Sequence, residues 1–172
     1  MLSTAILLLF PLCMVFACIW DLLTMRIPNK LSLVLIVGFA IMAPLADMGW
    51  ELAAWHVGTA VMVLIGGFLL FAFGGMGAGD VKFATVTSLW LGPTLTPMFL
   101  VYVGLGGGAI ALLFMFARRF ALPISAVGVT WIERLHNKEN GIPYGLTIGP
   151  AGLAMFSASA LGAYALYGTP IG

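Results

Sequence analysis

Two aspartates are the residues best suited to chemistry in this sequence. Asp21 stands where the first apolar segment ends, and Asp80 closes the glycine-rich run Gly77-Ala78-Gly79-Asp80. Because 62% of the residues are hydrophobic and only 8% are charged, an acid at the edge of a membrane segment costs free energy unless it has a use. The two positions therefore suggest carboxylate chemistry.

A pair of carboxyl groups can act together as an acid and a base. Two carboxylates at short range repel each other, so the pair holds one shared proton at a suitable pH. The ionised member can take a proton from an attacking water, while the protonated member donates to a peptide carbonyl oxygen and stabilises the developing oxyanion. Gly77 and Gly79 fit this chemistry, because residues without a Cβ let a substrate strand approach the backbone closely.

Structural roles would also account for both acids. Asp80 stands where a helix N-cap belongs, and aspartate is favoured there for its hydrogen bonds to the backbone alone. Asp21 would serve as an interfacial acid, although Arg26 and Lys30 do not lie at the i+3 or i+4 spacing of a helical pair. Spacing by itself leaves these alternatives open.

The elements that must position these residues are transmembrane helices. Most of the apolar stretches approach the roughly 20 residues that a helix needs to cross a hydrocarbon core. They run over residues 2–20, 31–46, 52–73, 81–91, 95–117 and 146–167. The net charge of +1, without a basic run in the sequence, argues against a nucleic-acid partner. We therefore expect an all-α polytopic membrane protein embedded in lipid.

Charge placement decides how many crossings there are. With six, all lysines and arginines fall on one side, whereas the other side holds Asp47 and Glu51. A single long crossing over 81–117 would move Arg118 and the loop after it to the opposite face, against the positive-inside tendency. Gly92-Pro93 supplies the turn that six crossings need. The basic residues are Arg26, Lys30, Lys82, Arg118, Arg119, Arg134 and Lys138.

The predicted topology is thus six helices with both termini outside, on the periplasmic side. Asp21 then lies at the cytoplasmic end of the first helix and Asp80 at the cytoplasmic start of the fourth. Both acids are at similar depth on the same side, so they can meet without either crossing the bilayer.

Three sequence elements resemble the prepilin peptidase family, membrane aspartic proteases of the Gly-x-Gly-Asp type. The first is Asp21 followed by Ile27-Pro28-Asn29, the second is Gly77-Ala78-Gly79-Asp80-Val81-Lys82, and the third is Gly141-Ile142-Pro143-Tyr144-Gly145 before the last helix. The resemblance covers nearly the whole chain. It implies that Asp21 and Asp80 are the catalytic pair, with no metal and no cofactor. We expect substrate contacts from Gly77, Gly79, Lys82, Pro143, Tyr144 and Gly145, with a snorkelling interfacial role as an equal alternative for Lys82.

The resemblance also implies a substrate and a location. The substrates would be type IV prepilins and pseudopilins with basic leaders, cleaved at the cytoplasmic face of the bacterial inner membrane. Larger members carry an extra cytoplasmic region, often with Cys-x-x-Cys motifs, and also methylate the new N-terminus. Here Cys13 and Cys18 lie inside the first apolar segment, and the first loop has about ten residues. We expect one transmembrane peptidase domain over 1–172 without methyltransferase activity, similar to the short tight-adherence (Flp) pilus type.

Two other functional classes stay open. A proton- or ion-coupled carrier would use the same acids but needs a polar path through the bilayer. A non-enzymatic pilus-assembly scaffold would leave pilin processing unchanged when both acids are replaced by amides.

Several other residues fit structural roles. His56 is expected to be a packed or interfacial histidine, since no ligand at metal-binding spacing accompanies it. Gly104 and Gly108 have the Gly-x-x-x-Gly spacing of close helix packing. Val127, Trp131 and Leu135 repeat every four residues, which predicts either a short helix at the membrane surface or an ordinary connecting loop.

Overall fold

The computed structural model describes residues 1–123, 127–137 and 140–171, and these residues form helices and connections without a β-strand. Lys138, one of the predicted basic-loop residues, lies outside the described part. The helices are α1 (Leu2–Thr24), α2 (Asn29–Leu45), α3 (Trp50–Ala72), α4 (Ala78–Ala117), α5 (Thr130–His136), α6 (Gly145–Phe156) and α7 (Ala160–Tyr167).

The lengths and exteriors of the helices suit a membrane. Within the described residues, α1, α3 and α4 are long and apolar enough to cross one, and α6 with α7 makes a fourth candidate. Helix α2 is a shorter apolar helix of 17 residues. Large apolar side chains such as Met62, Phe68 and Leu105 are mostly exposed, an arrangement that lipid stabilises and water does not. These features agree with the predicted all-helical, multi-pass membrane protein.

Helix α4 is two arms that meet at Gly92. A straight helix of its 40 residues would be about 60 Å long, but Gly92 has φ 74° and ψ −178°, far from helical values. The first arm packs along α3, with Val81 beside Gly67. The second arm returns, so that Gly107 lies against Tyr144 and Arg118 donates from Nη2 to the carbonyl of Gly141 at 3.1 Å. The contacts therefore agree with the turn predicted at Gly92-Pro93.

His56 of α3 stabilises this turn. Pro93 has no N–H, so the carbonyl of Leu89 loses the hydrogen bond that the residue four positions ahead would give it. The Nδ1 of His56 donates to that oxygen at 2.8 Å, because a carbonyl can only accept. The imidazole, which is 2% exposed, also fills the space beside Gly92, where a Cβ would lie 2.5 Å from its Nε2. His56 is thus a packed histidine, as expected, with a specific hydrogen-bonding role.

Close packing of α1 on α6 brings the two ends of the chain together. A Cβ at Gly149 would lie 2.9 Å from the carbonyl oxygen of Met14, so only glycine allows this approach. Further along the same pair, the rings of Phe10 and Phe156 stack with centroids 4.6 Å apart. The antiparallel pairing leaves the last turn of α1 beside the first turn of α6.

Some helix boundaries differ from the prediction. The stretch 146–167 is two helices bent by 51°, because Ser159 caps α7: its Oγ accepts from the N–H of Gly162 at 3.1 Å. Helix α1 continues past Trp20 to Thr24, which leaves only residues 25–28 as the connection to α2 instead of about ten residues. The predicted short helix is present as α5, which contains Trp131 and Leu135 but not Val127.

Candidate active site

Both aspartates of the sequence motifs line one cavity. The cavity has a volume of about 910 Å³ and is bordered by the end of α1, the α3–α4 connection, the start of α4 and the segment before α6. Asp21 and Asp80 belong to different helices, α1 and α4, yet both side chains border this one space. The fold therefore brings together the two acids that the sequence singled out.

Asp21 is held in place by the start of α6. The carboxylate lies in the last turn of α1 and is 2% exposed. The backbone N–H of Gly145 donates to its Oδ2 at 2.8 Å. Gly145 is the first residue of a 12-residue helix, so its N–H is one of the donors left without an intrahelical acceptor, at the positive end of the helix dipole.

The element Pro143-Tyr144-Gly145 surrounds Asp21 more than it faces the cavity. A Cβ at Gly145 would lie 2.8 Å from both Cβ and Oδ2 of Asp21, so this position has no room for a side chain. Pro143 is fully buried. Tyr144 does line the cavity, and its hydroxyl donates to the carbonyl of Gly75 at 3.4 Å. Pro143, Tyr144 and Gly145 are all predicted from the sequence to contact substrate. Of these three, only Tyr144 borders the cavity.

Asp80 lies in the first turn of α4 and is not its N-cap. The N-cap is Gly77, so the predicted N-cap position of Asp80 is wrong. Asp80 keeps a structural role, because its carboxylate accepts a hydrogen bond from the backbone N–H of Gly77, as an acid at the third helical position can. A Cβ at Gly77 would lie 2.7 Å from Oδ2 of Asp80, so the missing side chain leaves room for the carboxylate. Gly79 is less constrained, because its Cβ would make an ordinary contact of 3.7 Å with the carbonyl oxygen of Ile27.

Lys82 connects the two aspartate motifs. Its side chain does not line the cavity. Instead, Nζ donates to Oδ1 of Asn29 at 3.3 Å. Asn29 belongs to the Ile27-Pro28-Asn29 element that follows Asp21. The structure thus puts Lys82 where it joins the start of α4 to the start of α2.

The cavity is also bordered by two arginines, which the sequence analysis did not assign to the site. Arg26 and Arg134 both line it, and Nη1 of Arg134 donates to the carbonyl of Leu23 at 2.8 Å. That carbonyl belongs to the last turn of α1, where a cation is favourable. This hydrogen bond joins residues that are 111 positions apart in the sequence, so no local pattern in the loop could predict it.

The arrangement can perform acid and base chemistry on a water molecule. It offers two carboxyl groups that line one cavity: Asp21 is oriented by a backbone hydrogen bond, and Asp80 is partly exposed. Within the described residues, no group of three or more His, Cys, Asp or Glu is arranged to hold a metal ion.

Comparison with known proteins gives one match. The model of the type IV leader peptidase family matches residues 8–112, a range that contains Asp21 and Asp80 and ends before Pro143. No curated protein and no solved structure matches the chain. The role of the segment before α6 therefore rests on the contacts of Gly145 and Tyr144.

Proposed function

The chain belongs to the type IV leader peptidase family, and we propose that it cleaves prepilin leaders with Asp21 and Asp80 as a catalytic dyad. The observation that supports this best is that both carboxyl groups line one cavity, although they come from different helices. In the proposed reaction, the ionised carboxylate takes a proton from water as the water attacks the scissile carbonyl. The protonated carboxyl donates to the carbonyl oxygen. As the C–N bond then breaks, the carboxyl that took the proton of water passes it to the leaving amine, and the other carboxyl regains its proton from the hydroxyl that becomes the new carbonyl.

We further propose six membrane crossings with both termini outside and the cavity on the cytoplasmic side. The reversal of α4 at Gly92 supports this count, because its two arms return the chain to the cavity end of the molecule. Arg26 and Arg134 line that cavity, and basic residues concentrate on the cytoplasmic side of membrane proteins. Asp47 and Glu51 lie at the α2–α3 connection, toward the opposite end.

The proposed substrates are prepilins and pseudopilins with basic leaders, and the proposed subtype is the short Flp-pilus peptidase. The connection between α1 and α2 consists of residues 25–28. Such a tight connection leaves no space between these helices for an inserted cytoplasmic region. This supports peptidase activity without N-methyltransferase activity.

The test is cleavage of a synthetic prepilin by purified protein in detergent. Asp21→Asn and Asp80→Asn should each lower the rate by about 10²–10⁴-fold, the range typical of a lost general acid or base. Asp47→Asn is the matched control. Asp47 is exposed with φ 56°, a conformation that asparagine also adopts, so its rate should equal that of the wild type.

Each of the two competing functions predicts a different result for the amide variants. Full-rate processing by the doubly amidated protein would exclude the dyad and favour a scaffold. A carrier would show proton or ion flux in vesicles that both amide variants abolish, with no shortened pilin from the wild type. Circular dichroism of each variant verifies that the helices are intact.

A further inference from the structure

An apolar groove runs along α3 between the two arms of α4. Its volume is about 980 Å³. The lining comes from all three helical segments and includes Trp55, Met62, Leu70, Val81, Pro97 and Val103. Because the α3 part of this lining extends from Trp55 to Leu70, the groove follows about 22 Å of helix. It is long enough for an apolar helix of roughly 15 residues.

The groove adjoins the candidate active site. Gly75, Met76 and Tyr144 line both the groove and the cavity that contains the two aspartates. A polypeptide whose scissile bond lies at the aspartates can therefore reach the groove by passing over these three shared residues.

Glycines in the groove have open space where a side chain would project. A Cβ at Gly58, Gly66 or Gly104 would meet nothing within 4 Å, and all three line the groove. Where two helices of this protein pack closely, as at Gly149 on α1, an added Cβ would lie 2.9 Å from a backbone oxygen. The groove glycines thus have the small-residue surface of a helix interface, with that surface facing the groove.

We propose that the groove binds an apolar segment of the substrate that adjoins the scissile bond, and that this segment binds as a helix. The proposal rests on the proposed peptidase function. An apolar lining cannot hydrogen-bond an extended backbone, so a segment lying there must satisfy its own N–H and C=O groups, as a helix does. The helix must end where the groove meets the polar cavity, which leaves the scissile peptide extended at the aspartates.

The first experiment places one large side chain in the groove so that it obstructs a bound helix. Gly104→Leu projects into the groove, whereas Gly108→Leu, on the same arm of α4, projects into open space outside it. With a synthetic prepilin that contains a leader and an apolar segment of about 20 residues, Gly104→Leu should lower kcat/KM by at least about tenfold. Gly108→Leu should stay within about twofold of the wild type. Equal rates for the two variants would overturn the proposal.

The second experiment detects the occupant directly. A photo-crosslinking amino acid replaces Met62, which lines the groove, or Leu64, which is exposed on another face of the same helix. Illumination in lipid vesicles with the prepilin should join position 62, and not position 64, to the apolar segment. Adducts at position 62 with lipid alone, or with a second copy of this chain, would overturn the proposal.

These readouts separate the two proposals. A wild type that cleaves nothing rejects the peptidase function, and crosslinking at position 62 still reports whether an apolar segment enters the groove. A wild type that cleaves the prepilin but gives no crosslink from position 62 rejects the groove and leaves the dyad intact.

Discussion

The hydrogen bond between Gly145 and Asp21 makes the position of one carboxylate depend on a residue 124 positions away. The donor is a backbone N–H at the start of a helix, so it is fixed by the fold and not by a side-chain rotamer. A carboxylate held in this way needs no reorganisation when a water molecule or substrate approaches, and such preorganisation contributes much of an enzyme's rate enhancement. Gly145 is therefore a positioning residue for Asp21.

Adding one methyl group at Gly145 should disturb Asp21 without removing it. In Gly145→Ala the new Cβ would lie 2.8 Å from Cβ and Oδ2 of Asp21, so the carboxylate or the start of α6 must move. We expect kcat/KM for prepilin cleavage to fall by about 10²-fold, the cost of a misplacement of about 1 Å. The measurement is the rate in detergent together with the unfolding temperature.

The control for that variant is Gly108→Ala in the second arm of α4, where an added Cβ meets nothing within 4 Å and which lines neither the cavity nor the groove. Its cleavage rate should stay close to that of the wild type. If Gly145→Ala cleaves as fast as Gly108→Ala, the contact with Asp21 has no part in catalysis.

The sequence motifs single out which residues form the site, but they do not predict which contacts each of these residues makes. The motifs led to Asp21, Asp80 and the glycines, because each motif is local. The hydrogen bonds of Gly145 and Arg134 join positions more than a hundred residues apart, and no spacing rule reports such pairs. The motifs therefore predict Lys82 and Gly145 at the substrate, whereas in the fold Lys82 contacts Asn29 and Gly145 contacts Asp21.

At the scale of elements, the reversal of α4 depends on three residues with separate functions. Pro93 removes the N–H that would continue the helix. Gly92 takes a positive φ of 74° that a residue with a Cβ rarely adopts. His56, from the neighbouring α3, donates to the carbonyl of Leu89 that Pro93 leaves without its helical partner. The turn is thereby fixed against α3, and with it the groove between α3 and the two arms.

Removing the donor of His56 should destabilise the turn. His56→Ala leaves the buried Leu89 carbonyl without its side-chain donor and opens space beside Gly92, so we expect a loss of about 1–3 kcal/mol of stability. His56→Asn can place an amide N–H near the position of Nδ1 and should recover part of that loss. Thermal unfolding of both variants in detergent measures the difference. Identical unfolding temperatures for the two would mean that the hydrogen bond does not stabilise the turn.

The sequence predicted the turn in α4 but not the bend after α6, for a physical reason. Gly92-Pro93 is a strong local signal, because both residues disfavour a continuous helix. The break between α6 and α7 depends on Ser159, whose hydroxyl caps α7. A serine inside an apolar run is also compatible with a continuous membrane helix, since its hydroxyl can bond back to its own helix. Hydropathy cannot distinguish these two conformations.

At the scale of the whole molecule, basic residues gather around the cavity and hold its rim together. Arg118 donates from Nε to the carbonyl of Leu135 at 2.8 Å, and Arg134 donates to that of Leu23. These contacts join α1, the second arm of α4 and α5 at one end of the molecule. Basic side chains at that end favour the cytoplasmic orientation, so the same residues serve both the structure of the rim and the proposed direction of insertion.

The proposed six-crossing topology predicts a definite labelling pattern in cells. In a background of Cys13→Ala and Cys18→Ala, single cysteines replace Gly49, Lys30 and Arg119, which are all exposed. A membrane-impermeant maleimide should label Gly49→Cys in intact cells, and Lys30→Cys and Arg119→Cys only after permeabilisation. One long crossing by α4 would place position 119 on the side of position 49, so labelling of both in intact cells would contradict the topology. Labelling of position 30 alone with position 119 protected would contradict it as well, because the reversal at Gly92 returns the chain to the side on which α2 begins.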